Sequence, residues 1–210
     1  MTVAEFVHWG DGSDIRYELA FGTPVAMAPP SGRHADIVAN IIARLSGQLV
    51  RPCRIPVGGG VARGDNDDEF RLPDVIVSCE PTPRVYFRQP RLIVEVLSPS
   101  TEKEDRTDKL DFYRSLESVE AVVLVWQEKR RMQVVRREQD RWSIQDLVGG
   151  GDLVVTTLDL GLTLDEIYDG GVSKTDAKAL PSYMTKACVK AGATACCSGT
   201  AALRRRPTAW

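Results

Sequence analysis

No apolar stretch in the 210 residues approaches the roughly 20 needed to cross a bilayer as a helix, so no membrane association is expected. Met1 to Trp9 lacks the basic head and apolar run of a secretory signal. The chain also lacks a cysteine framework: its five cysteines, Cys53, Cys79, Cys188, Cys196 and Cys197, are odd in number and irregular in spacing. That pattern predicts reduced thiols and a cytoplasmic protein. Cys196-Cys197 has no partner pair at zinc-ligand spacing, which argues against a structural zinc site. No internal repeat is visible. A strongly basic balance is absent as well, since the net charge is −2.

What is present is an ordinary globular composition, 43% apolar and 27% charged, long enough for one domain with a full core. Charge is unevenly spread. From Lys174 onward there are seven basic residues and one acidic residue, giving +6 and leaving −8 for the remainder. So acidic a body does not favour non-specific binding to nucleic acid. Basic clusters at Lys129-Arg130-Arg131 and Arg136-Arg137 read either as local phosphate contacts or as the solvated face of a hairpin.

Alternation over Ile15–Phe21, a turn at Gly22-Thr23 and Pro24–Ala28 predict a hairpin. Apolar residues at helical spacing predict a helix over Arg33–Leu49. Short strands are expected at Cys53–Val57 and around Val61, then at Leu72–Val77 and Leu92–Leu97, the last two separated by a Pro-rich connection from Pro81 to Pro90. Thr101 and Glu104 have the spacing of a capping box, opening a helix to about Leu116. Strands at Ala121–Trp126, Met132–Arg137 and Trp142–Leu147 form a meander closed by Gly149-Gly150-Gly151, and Leu164–Tyr168 reads as a short helix. The order predicts an α/β fold with a mixed central sheet flanked by helices. Residues 1–170 form the expected domain, and 171–210 read as a poorly packed C-terminal extension.

Within this pattern Glu95 is the sole polar residue of the apolar run Leu92–Leu97. Burying a carboxylate there costs on the order of several kcal/mol unless a cation or donors compensate. Asp74, after Pro73, enters the neighbouring apolar segment. On the following helix Lys109, Phe112, Tyr113 and Leu116 share one face. Lys109 therefore either pairs with Glu95 or Asp74, or snorkels outward past Phe112. Taken alone, Asp74 reads equally as a turn residue, and Glu95 as half of a buried ion pair that fixes the fold.

Pro73-Asp74, Glu95 in VEVLSPST and the run DRTDKLDFY together resemble the PD-(D/E)xK nuclease superfamily. More closely they resemble the Uma-type family grouped with restriction endonucleases. RYELAFGTPVAMAPPSGRH, with Glu18 and His34, is similar to that family's opening segment, and the resemblance spans about Ile15 to Asp169. It implies a restriction-endonuclease-like core and a metal-dependent endonuclease acting on phosphodiester bonds of nucleic acid, DNA in the first instance. It implies Asp74 and Glu95 as ligands of Mg²⁺ (or Mn²⁺), with Glu18 as a further carboxylate. The superfamily places a lysine two residues after the second acid, where this chain has Leu97. The resemblance then implies a migrated lysine, and Lys109 is the candidate whose helical face fits. His34 reads as a helix cap or a substrate contact, and Tyr113 as a core residue or a phosphate donor. A homodimer would let paired sites cut both strands. The alternative within the same fold is a catalytically inactive module that binds nucleic acid or a protein partner.

Overall fold

The computed structural model of the chain describes residues 1–82, 85–98, 105–155 and 158–169. The expected capping box at Thr101 and Glu104 and the C-terminal extension lie outside the described residues.

Continuous apolar sequence places two strands at the centre of the main sheet. β6 (Pro90–Leu97) and β7 (Ala121–Trp126) are buried almost throughout and pair in parallel, Leu92 opposite Ala121 and Leu97 opposite Trp126. Parallel neighbours need a crossover connection, and α3 (Leu110–Ser115), entered through a π-helical turn at Asp105–Lys109, supplies part of it. β4 (Val75–Ser78) adds antiparallel to β6 on one side. β8 (Arg131–Glu138) and β9 (Arg141–Val148) add antiparallel on the other, giving the order β4-β6-β7-β8-β9.

One face of this sheet carries Val75, Val94, Val96 and Val123. It is packed by α2 (Gly32–Ser46) through Ile37, Ile41 and Leu45, which recur every fourth residue. α2 ends about a turn before the predicted Leu49, because Gln48 leaves the helix to bond the Arg44 carbonyl (3.1 Å) and the Gly161 backbone. Gly161 belongs to the hairpin β10 (Asp152–Val155) and β11 (Leu160–Thr163), which lies beside α4 (Leu164–Tyr168). The opposite face carries Ile76, Ile93, Leu97 and Leu124, covered by Phe112, Tyr113 and Leu116 of the α3 region.

A third cluster joins α1 (Val3–Phe6), capped by Thr2 and Glu5, to the hairpin of β1 (Tyr17–Ala20) and β2 (Thr23–Ala26). The segment Glu69–Leu72 threads between these parts. Phe70 bridges Leu19 of β1, and Arg71 bridges Val61 of β3 (Gly60–Val61), itself paired in parallel with β5 (Tyr86–Phe87). Of the predicted strand at Cys53–Val57 the structure keeps a single bridge, Arg54 to Ser78. Among the described residues no helix is long and apolar enough to cross a membrane.

The expectation of five reduced thiols is corrected: Cys53 and Cys79 form a disulfide. Arg54 and Ser78 exchange both backbone hydrogen bonds, so Cys53 and Cys79 fall opposite each other one step along, with Cα atoms 3.8 Å apart. The sequence spacing of 26 gives no hint of that adjacency. With it, the thiol argument for a cytoplasmic protein is removed.

Gly60 marks the tightest approach in this part of the fold. A Cβ there would lie 2.1 Å from Cζ of Phe70, a buried ring held against Phe6 and Tyr86. Gly60→Ala is expected to lower unfolding free energy by about 1–3 kcal/mol. Gly150→Ala, with nothing within 4 Å, serves as the control. Thermal or urea unfolding compares them, and equal stability of the two variants would contradict this packing.

Candidate active site

The antiparallel register of β4 and β6 sets the two expected acids side by side. Val75 faces Val94, so one step outward Asp74 falls opposite Glu95. Asp74 Oδ2 accepts the Val96 backbone N–H at 2.7 Å and stands 3.1 Å from Nε2 of His34. His34 reaches it from the first turn of α2, where the Ser31 side chain accepts the His34 backbone N–H. This is the more open part of the site, with the His34 and Asp74 side chains 16% and 20% exposed.

Glu95 lies deeper. Alternating with Val94 and Val96, it leaves the sheet on the face of Ile93 and Leu97, toward Tyr113 of α3. The Tyr113 hydroxyl donates to Glu95 Oε1 at 2.5 Å. Burial pushes the Tyr113 phenol well above its ordinary pKa of 10.0, reinforced by the negative charges of Glu95 and Glu18, so it stays a neutral donor. Lys109, at the junction of the π-helical turn and α3, points inward and is 8% exposed. Its ammonium donates to Glu18 Oε1 at 3.1 Å and lies 3.8 Å from Glu95 Oε1. Leu97, where the superfamily has its lysine, is buried in the core beside them. The ammonium therefore reaches the second acid from the helix rather than from the strand.

Glu18 arrives from β1 and is committed on both oxygens. Oε1 takes Lys109 and the Leu72 N–H (2.9 Å), while Oε2 stands 3.7 Å from Arg71 Nη1. Arg71 is completely buried, and its Nη2 lies 3.5 Å from Oε2 of Glu69. Burial raises the Glu69 carboxyl above its usual range, against the pull of Arg71. Sequence reasoning missed Arg71 and Glu69, which lie between the strands expected around Val61 and at Leu72–Val77. The available signal was the alternation Glu69-Phe70-Arg71-Leu72 just ahead of Pro73-Asp74.

The structure thus brings Glu18, Glu95, Lys109 and Tyr113 into one buried network, with Asp74 and His34 paired at the adjoining strand start. Among the described residues no group of three or more His, Cys, Asp or Glu side chains could hold a metal ion. Mg²⁺ keeps several waters and needs only one or two carboxylates besides substrate oxygens. Asp74 and Glu95 supply carboxylates of the kind such a site takes, Asp74 partly open and Glu95 buried, whereas Glu18 already serves two cations.

The basic clusters have local uses. Arg130 pairs with Asp165, and Arg131 with Asp146 at 2.8 Å. Arg137 donates to the Leu116, Val119 and Arg114 carbonyls, and Arg136 to that of Val154. The bonds of Arg130, Arg136 and Arg137 fasten the meander to its surroundings, while Arg131–Asp146 joins its own strands β8 and β9.

Comparison with known proteins bears on the family and the fold. The chain is 27% identical over 175 residues to the uncharacterized protein slr1290 of Synechocystis, covering 81% of this chain and 92% of the relative. It is 25% identical over 156 residues to sll1609 of the same organism, covering 71% and 88%. A crystal structure from Anabaena variabilis, described as "a putative nuclease belonging to DUF820", superposes with a TM-score of 0.65 at 17% identity, covering 80% of this chain and 97% of that one. That likeness establishes the shared fold, the restriction-endonuclease-like mixed sheet flanked by helices. The family model Uma2, described as "Putative restriction endonuclease", matches residues 3–166, and the chain belongs to this family.

Proposed function

We propose that the protein is a metal-dependent endonuclease that hydrolyses phosphodiester bonds, with DNA as substrate and Mg²⁺ or Mn²⁺ as cofactor. The observation that carries this reading is the buried ammonium of Lys109, 3.8 Å from Glu95, at the strand end where Asp74 faces Glu95 by register. Membership of the Uma2 family supports it.

Asp74 and Glu95 would hold the ion, which when bound supplies Lewis-acid polarisation of the scissile phosphate and acidifies water. The protein's own groups do the rest. His34 and the Val96 amide fix the Asp74 carboxylate. Tyr113, neutral and buried, orients Glu95 and leaves its negative charge in place. Lys109 offers a fixed positive charge to the negative charge that develops on the phosphate oxygens, and a charge held in a dry site requires little reorganisation. His34, on the more exposed side, would contact a substrate phosphate.

A second reading is a module of the same fold that binds nucleic acid or a protein partner without cutting. The commitment of Lys109 to Glu18 favours it. Cleavage of supercoiled plasmid with and without Mg²⁺ or Mn²⁺ separates the two: the nuclease reading predicts nicking only with metal, and intact plasmid at every metal concentration overturns it.

Three variants test the roles. The nuclease reading predicts that bound ion stabilises the wild type in thermal shift, by about 2.7 kcal/mol when the ion is at a hundredfold its Kd, and that Glu95→Gln loses this stabilisation. A wild type unmoved by metal would reject the ion site. Lys109→Ala should keep that thermal shift while cleavage falls by about 100-fold or more, and retained cleavage would remove Lys109 from the reaction. Tyr113→Phe should cost about 1.5–3 kcal/mol, the range for a hydrogen bond to a charged group. Because the folded-state pKa of Tyr113 is raised, its contribution is complete below the unfolded value near 10 and drains away as pH rises further. The gap in unfolding free energy between wild type and Tyr113→Phe should stay constant through neutral pH and narrow above about pH 10. A gap that keeps its size in alkali would contradict the burial of the phenol.

A further inference from the structure

We propose that Arg71 is a positioning residue that sets where the Lys109 ammonium sits, acting through Glu18. The proposal rests on the nuclease reading for its catalytic consequence, but its geometric content stands on the buried network alone.

Glu18 is a single carboxylate between two cations. Arg71 stands at Oε2 (3.7 Å) and Lys109 at Oε1 (3.1 Å). Where a carboxylate is shared this way, moving either cation moves the other. Three features make Arg71 the fixed partner. Its backbone is clamped to Val61 by two hydrogen bonds, 2.8 and 2.9 Å. Its side chain is completely enclosed, so the guanidinium cannot swing to solvent. Glu69 Oε2, 3.5 Å away, balances it from the other side. The next residue in the chain adds a further anchor, because the Leu72 amide bonds the same Glu18 oxygen that receives Lys109.

Lys109 is the softer partner, a compact ammonium on a flexible stem that enters from a different element. With Glu18 held by Arg71 and Leu72, the ammonium rests between Glu18 and Glu95 Oε1 instead of collapsing onto one of them. Without Arg71 the Glu18 carboxylate could turn wholly toward Lys109 and draw it away from Glu95.

The test uses the full-length protein and a pair of near-isosteric changes, Arg71→Met with Glu69→Gln, which remove one charge of each sign. Arg71→Lys and Glu69→Gln singly provide further variants should the double variant fail to fold. The first readout is the ¹H–¹⁵N signal of the Lys109 ammonium at fixed pH without metal, assigned by its loss in Lys109→Ala. A sharp, slowly exchanging signal is expected in the wild type. In the double variant it should shift or broaden. Arg71→Lys should displace it less than the double variant does, because the positive charge is kept but the planar fork is lost. Glu69→Gln, which frees Arg71 to move toward Glu18, should displace it as well. The second readout is DNA cleavage, where kcat should fall about 10- to 100-fold with KM within about twofold.

A Lys109 signal unchanged in every folded variant would overturn the proposal. So would a rise in KM with kcat intact. The ammonium signal is read whether or not the wild type cuts DNA. Absence of cleavage would therefore sink the nuclease reading, while the signal alone would decide whether Arg71 positions Lys109.

Discussion

Two carboxylates share one buried ammonium, and the site is organised around that fact. Lys109 between Glu18 and Glu95 links three separate parts of the chain: the N-terminal hairpin, the central strand β6 and the π-helical turn leading into α3. Removing one member of such a set leaves an uncompensated charge in a dry interior, which is far costlier than breaking an exposed pair. The surrounding bonds follow from this constraint. Tyr113 satisfies Glu95, the Leu72 amide satisfies Glu18, and Arg71 with Glu69 extends the alternation of charge into the N-terminal part.

A buried network of this kind could serve stability alone. What argues for chemistry is its placement. The sheet register carries the buried Glu95 to the strand end where Asp74 and His34 are partly open. The interior supplies rigidity and charge, and the strand end supplies access. Leu97 belongs to the core, and the cation beside Glu95 comes instead from Lys109, where the π-helical turn meets α3.

Much of this was legible because it is periodic. A polar residue stands out in Leu92–Leu97 because every neighbour is apolar, and Lys109, Phe112, Tyr113 and Leu116 share a face because of helical spacing. The hairpin, α2, the meander and α4 follow from the same patterns. Arg71 and Glu69 were hidden because their significance depends on bridges to β1 and β3, chain neighbours only in three dimensions. The Cys53–Cys79 pair was hidden for the same reason. α1 carried a readable capping box at Thr2 and Glu5, but its four residues are too short for helical periodicity to register. β10 was masked by the triple glycine, and β5 by the Pro-rich connection in which it lies.

The most direct test is to locate the ion. Crystals of the wild-type protein grown with Mn²⁺, measured at the manganese edge, should show an anomalous peak about 2.1–2.2 Å from carboxylate oxygens of both Asp74 and Glu95, with Lys109 still beside Glu95. A peak held by other residues, or full occupancy elsewhere with none at this pair, would contradict a metal site built on Asp74 and Glu95.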